Sequence, residues 1–255
     1  MPRTAVRRTA VAASMLSLAL TLGACATDES GAKSESKSES KGETAGAKAL
    51  SAAELGKLAL TKKDAPGHRF TEVSAADVKE ASAVKLKKAE CEPLIEAMTF
   101  RPGGKASAAT TQTLVPMANA PKPDKDASPE EQAKAAMSMF SGTTTSITLA
   151  SFEGEGAAEG FAALEKSVED CSGGFSIDAE GQNTEFTKVE KFDHTAGDES
   201  FGVTLVLSAG PKETLTVNLV TVRKGGVLAS FNALSLQGKT EKPKALVDAQ
   251  LKKLG

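Results

Sequence analysis

Apolar and polar positions follow three regimes along the 255 residues. Val11 to Leu22 is a charge-free, Ala/Leu-rich run. Residues 26 to 48 then carry no large apolar side chain, and Ser34 to Lys41 spells one four-residue unit twice. Beyond Leu50 the pattern becomes periodic. Phe201 to Ser208, Leu215 to Val222 and Val227 to Leu236 are β-rich runs, separated by Ala209-Gly210-Pro211-Lys212 and Lys224-Gly225-Gly226. That spacing predicts an antiparallel meander. Leu215, Val217 and Leu219 alternate with Thr214, Thr216 and Asn218, which predicts one buried and one wetter face. Thr143 to Phe152, with Ile147 and Leu149 alternating, and Thr184 to Phe192 read as further strands.

Helical spacing appears between these runs. Ser51 can cap a short helix carrying Leu55, Leu58 and Ala59, which Asp64-Ala65-Pro66-Gly67 then ends with turn chemistry. Cys91, Leu94, Ile95 and Met98 share one face of a second helix, and Pro93 fits only its first turn. Phe161, Leu164, Val168 and Cys171 share a face of a third, expected from about Ala157 to Cys171. A last helix from about Thr240 is expected to bury Val247, Leu251 and Leu254. Residues 101 to 136 are rich in Pro, Gly, Ala, Lys and Thr and read mainly as a long surface loop. Within it, Ser128-Pro129-Glu130-Glu131 suits one helical turn. Helices mixed with antiparallel strands predict an α+β layer fold: a C-terminal three-stranded meander packed on several helices.

The amino end changes the picture from fold to address. Arg3, Arg7 and Arg8, the apolar run and Leu22-Gly23-Ala24-Cys25 have the three parts of a secretory signal. The apolar run is too short for a typical membrane span of ~20 residues. An apolar residue and two small residues before a cysteine resemble a lipobox. The expectation is cleavage after residue 24 and a diacylglycerol on Cys25. Residues 25–49 then form a disordered Ser/Glu/Lys tether and residues 50–255 one globular domain on the outer face of a membrane. Arg7-Arg8 leaves twin-arginine export open beside the general route. Losing residues 1–24 removes three arginines and no acid, so the formal charge of −2 becomes more negative by three. An acidic chain lacks the basic face a nucleic-acid partner needs. With no Trp or Tyr, stacking platforms and aromatic cages are poorly supplied.

Apart from Cys25, the cysteines are Cys91 and Cys171, each on the apolar stripe of its helix. An oxidising compartment would pair them. The alternative is two separate buried thiols, and the absence of Cys-x-x-Cys argues against a redox pair. Gly154-Glu155-Gly156-Ala157-Ala158-Glu159-Gly160 sits between a strand and a helix, with Asp178 farther on. It approaches a dinucleotide fingerprint. Its glycine spacing is one residue too long, however, and two glutamates would face the phosphates, so no cofactor is expected. His68 and His194 are the histidines. Asp193-His194 with Asp198 and Glu199 is the one local acid–His cluster, read as a solvated turn rather than a metal or triad site. Glu130-Glu131 and Glu169-Asp170 read as solvated faces.

The segment Leu50-Ser51-Ala52-Ala53-Glu54-Leu55, leading into Leu60-Thr61-Lys62-Lys63-Asp64-Ala65-Pro66-Gly67, resembles an opening common in actinobacterial lipoproteins. After it come a helix bearing Cys91, a strand, a helix ending in Cys171, a strand, a meander and a final helix. That order resembles the PknH-like extracellular sensor domain, found on receptor kinases and on stand-alone lipoproteins. The resemblance implies an α+β, disulfide-stapled domain with a ligand-receiving cleft. This chain departs from the pattern in offering one cysteine pair instead of two and no kinase part. No ligand contacts transfer residue by residue, so the ligand-binding residues are unknown at this point. The functional expectation is a monomeric, non-catalytic sensor or binding lipoprotein for a small molecule, a lipid or an envelope protein. A carrier of a lipid or apolar molecule is the alternative, and a hydrolase built on carboxylates is a third reading.

Overall fold

The computed structural model describes residues 48–117, 128–132, 142–179, 181–210, 213–236 and 239–255. The signal segment, Cys25 and nearly all of the tether lie outside them. The strands are β1 (His68–Glu72), β2 (Lys85–Leu86), β3 (Ala108–Pro116), β4 (Thr144–Ser151), β5 (Phe175–Ala179), β6 (Gln182–Phe192), β7 (Glu199–Gly210), β8 (Glu213–Lys224) and β9 (Val227–Leu234). The helices are α1 (Ala52–Leu58), α2 (Ala75–Ser82), α3 (Glu92–Met98, after a 3₁₀ turn at Ala89–Cys91), α4 (Gly156–Asp170) and α5 (Lys244–Leu254). A helical turn at 129–132 starts from Ser128, whose hydroxyl hydrogen-bonds Glu131 as the capping pattern predicts.

The strands form one nine-stranded sheet in the order β1-β3-β4-β9-β8-β7-β6-β5-β2. Every pairing is antiparallel. The expected α+β class is therefore correct, but the sheet is far larger than a three-stranded meander. The meander runs through five consecutive strands, β5 to β9, and β9 then pairs with β4. Within residues 101–136 the loop expectation fails at Ala108–Pro116, because β3 lies inside the sheet between β1 and β4; residues 118–127 and 133–136 lie outside the described residues. Its sequence, Ala-Ala-Thr-Thr-Gln-Thr-Leu-Val-Pro, is short of large apolar side chains, and Leu114 alone in β3 is fully buried. Threonine favours strands without supplying the apolar alternation that announces one.

Helices cover both faces of the sheet. On one face α3 and α4 pack over Phe201, Val203 and Leu205 of β7 and over Val217 and Leu219 of β8. On the other, α1 and α5 pack over Val220 and Val222 of β8, Phe231 of β9 and Ile147 and Leu149 of β4. The second face of β8 is therefore dry from Asn218 to Val222, where a wetter one was expected, while Thr214 is exposed and Thr216 half-buried as expected. Asn218 is buried there, accepting from Thr204 Oγ1 at 2.9 Å and donating to the Thr240 carbonyl at 3.0 Å. Thr240 is not helical. Its hydroxyl donates to the Thr216 carbonyl at 2.7 Å, which holds the strand-to-helix connection against β8. Helix α5 begins only after Pro243, and Val247 and Gln250 are its deepest residues, with Leu251 and Leu254 half-buried. Gly202 of β7 leaves room for the Phe192 ring of β6, which lies where a Cβ would stand.

Candidate functional site

Helix α3 builds one wall of a cleft. Leu94, Ile95 and Ala97 are buried against the sheet, which leaves Glu92 and Glu96, one turn apart, on the open side. The helix ends in a reversal: the Arg101 N–H donates to the Glu96 carbonyl at 3.2 Å, and Phe100 between them has φ 61°. That is the Schellman arrangement, in which glycine normally takes the left-handed position. Phenylalanine there is strained by about 1–2 kcal/mol. The Asn232 side chain of β9 secures the reversal by donating to the Met98 carbonyl at 2.7 Å. The reversal returns the Arg101 guanidinium to the Glu96 carboxylate at 3.7 Å, with both side chains about four-fifths covered. The Gly104 N–H also donates to that carboxylate. Burial raises the Glu96 carboxyl above its ordinary value, Arg101 opposes this, and Glu92 adds to it.

Helix α4 builds the opposite wall. It turns Phe161, Leu164 and Val168 into the core and sets Gly160 and Ala163 towards the opening. Gly160 packs closely on the sheet, since a Cβ there would lie 3.1 Å from Leu228 Cδ1 and that side chain would have to shift by a few tenths of an ångström. Thr148, Ala150 and Phe152 from the β4 side and Leu228 and Ser230 of β9 form the floor. Thr148 and Ser230 are register partners in a hydroxyl row that continues to Thr111 on β3 and Thr221 on β8. The cleft encloses about 480 Å³, within the usual range for small-ligand pockets of roughly 300–1,000 Å³. It is a trough open to solvent, with an aliphatic and aromatic body and an ionic rim at Glu92, Glu96 and Arg101.

The predicted cysteine pair ties together the two helices that wall this trough. Cys91 and Cys171 form a disulfide with Cα atoms 5.9 Å apart, both sulfurs fully buried. It joins the start of α3 to the end of α4, the two walls. Other sequence candidates lie elsewhere. Arg223 pairs with Glu199 and, at 3.3 Å, with Asp198, which also accepts the Gly225 N–H at 2.7 Å. Those acids therefore hold the β8–β9 turn and are not gathered on His194. The His194 imidazole faces Lys242, Lys244 and Asp248, and burial with the two lysines lowers its pKa. Among the described residues no three His, Cys, Asp or Glu side chains converge as metal ligands. The Gly154–Gly160 segment opens α4 in a wholly antiparallel sheet, without the parallel βαβ frame of a dinucleotide site. Glu169 and Asp170 pair with Lys191 and Lys166 on the surface.

Sequence reasoning singled out none of Glu92, Glu96, Arg101, Thr148 or Ser230. The two glutamates were legible as an i, i+4 pair beside the apolar stripe of α3. The floor hydroxyls left a weaker mark: if Ile147 and Leu149 face one side of β4, Thr148 faces the other. Arg101 had no local signal, since its place depends on the reversal at Phe100.

No protein-family model and no curated protein sequence matches the chain. Among solved structures, the extracellular domain of PknH from Mycobacterium tuberculosis is similar in fold. The TM-score is 0.50 at 10% identity, over 81% of this chain and 97% of that one. The chain is thus similar in fold to that extracellular domain.

Proposed function

We propose that this chain is a lipid-anchored, extracytoplasmic, non-catalytic sensor-type lipoprotein that binds a small ligand in the α3–α4 cleft. In this reading residues 1–24 are a cleaved signal, Cys25 carries the lipid, 25–49 are a tether and 50–255 are the sensing body. The observation that carries it is the cleft itself: a trough of about 480 Å³ with an ionic rim, between two helices that Cys91–Cys171 joins. The fold similarity to the extracellular domain of PknH supports the compartment and the non-catalytic role. A glycosidase-type hydrolase needs two carboxyl groups flanking the scissile bond. Here both cleft carboxylates stand on α3, and the facing helix presents Gly160, Ala163 and Leu164. A carrier would be served better by an enclosed apolar cavity than by an open trough.

Ala163 lines the cleft and is exposed, so Ala163→Trp should fill the trough without disturbing the core. In a thermal-shift screen of small molecules, ligands that raise the melting temperature of the parent should lose that effect in Ala163→Trp. Ligands that stabilise both proteins equally would place binding outside the cleft and refute this reading.

A further inference from the structure

We infer that the cleft takes an amphiphile with a primary-amine head and an apolar tail, a deepening that rests on the cleft being the binding site. The rim presents two carboxylates, Glu92 and Glu96, against one guanidinium, Arg101. Among the described residues Arg101 pairs with Glu96, at 3.7 Å, and donates from Nε to Thr99 Oγ1 at 3.4 Å, but makes no ion pair with Glu92, so the charge of Glu92 is left for a ligand. Like charges at i, i+4 repel one another, and a cation set between them relieves both. An anionic head would instead meet two carboxylates for each guanidinium.

The body of the cleft defines the tail. Ala97, Ala150, Phe152, Leu164 and Leu228 give it an apolar surface, and burying alkyl carbon there is favourable in proportion to area. Thr148 is already engaged, its hydroxyl 3.1 Å from that of Thr111, so the floor asks for no charged partner. The head is a hydrogen-bonding amine rather than a quaternary ammonium. Quaternary heads are held by cages of several aromatic rings, whereas Phe152 is the one aromatic residue lining this cleft. A primary ammonium brings three N–H donors, which suit carboxylate oxygens.

The test uses four probes of one tail length, octylammonium, octyltrimethylammonium, octanoate and octanol, titrated into the mature chain carrying Cys25→Ser and followed by amide chemical shifts. Octylammonium should move amides of α3, α4 and the start of β9, and bind at least tenfold more tightly than octanoate or octyltrimethylammonium. The double variant Glu92→Gln/Glu96→Gln should bring octylammonium to within threefold of octanol. Octanoate or the trimethyl probe binding in the cleft as tightly as octylammonium would overturn the amine-head assignment and leave the cleft reading standing. An ammonium preference that survives the double variant would overturn it too. If no probe, octanol included, moves the cleft amides, both the assignment and the cleft reading fall.

Discussion

Asp64 and Glu96 respond to pH in opposite directions, for reasons visible in their neighbours. One Asp64 oxygen accepts from the Thr61 N–H and hydroxyl, both at 2.7 Å, and from Lys253 of α5 at 3.1 Å. The Thr61 bonds, with Lys253 behind them, lower its carboxyl to about 2. A folded-state value below the unfolded one gives stability that is present above the unfolded value, ~3.9, and is lost as pH falls through the folded one. Asp64→Asn should therefore be less stable than the parent at pH 5, with the gap closing as pH falls towards 2 in paired denaturant melts. Glu96 has the reverse sign, because its folded value is raised. Its contribution falls as pH rises through the carboxylate range. Glu96→Gln keeps an acceptor for the Gly104 N–H and removes the buried charge. The expected outcome is a variant no less stable than the parent at pH 7 that nonetheless binds octylammonium more weakly. Thermal melts and the amide titration check the two halves separately. Asn218 carries a plainer prediction. Asn218→Ala leaves the Thr240 carbonyl and the Thr204 hydroxyl without their buried partner, a loss of about 1–3 kcal/mol measurable by urea unfolding.

At the scale of elements, the disulfide sets how the walls of the cleft stand. It closes a loop of 80 residues between the start of α3 and the end of α4. Cys91→Ala/Cys171→Ala should lower stability by about 2–5 kcal/mol, and amide hydrogen exchange should rise in α3 and α4 more than in β7 and β8. Equal protection in all four elements would mean that packing alone fixes the walls. The elements legible in the sequence are those whose own side chains carry a period. Ser51 and Glu54 form the capping box of α1, Phe161, Leu164 and Val168 form the stripe of α4, and alternation marks β4 and β8. The illegible ones lie where burial is shared or slight. Among the described side chains of α2 none is buried, β1 has none that is fully covered, and β2 spans two residues at the sheet edge. Within β3, threonines pair by hydroxyl with their neighbours, Thr111 with Thr148 and Thr113 with Ser146. Hydrophobic periodicity does not register such contacts. Both walls of the cleft were legible as helices, but not that they face each other, since the floor between them comes from the register of β4 against β9 and the rim from the turn at Phe100.

For the whole molecule, the question is whether the anchor does more than hold the body at a surface. Among the described residues, the folded contacts near the chain's amino side begin at Leu50. Its N–H donates to Ser151 Oγ at 2.8 Å, and Leu50 itself packs against the core beneath α1 and α5. Ser151 lies between Ala150 and Phe152, which line the cleft on the other side of the sheet. If residues 25–49 are a tether, it joins the body at the strand that floors the cleft, and Ser151 is the link between them. If the lipid serves only as an address, Cys25→Ser should move the protein from the membrane fraction to the soluble one. Its melting temperature and its octylammonium affinity should match those of the anchored form, because the first described contact, from Leu50 to Ser151, is made within the body itself. Ser151→Ala in the same background should cost about 1 kcal/mol by leaving the Leu50 N–H without its acceptor, again without moving the protein between fractions. A Cys25→Ser chain that stays with the membrane would refute the anchor. One that is released but melts lower would show that the lipid also supports the fold, acting through the segment that ends at Leu50.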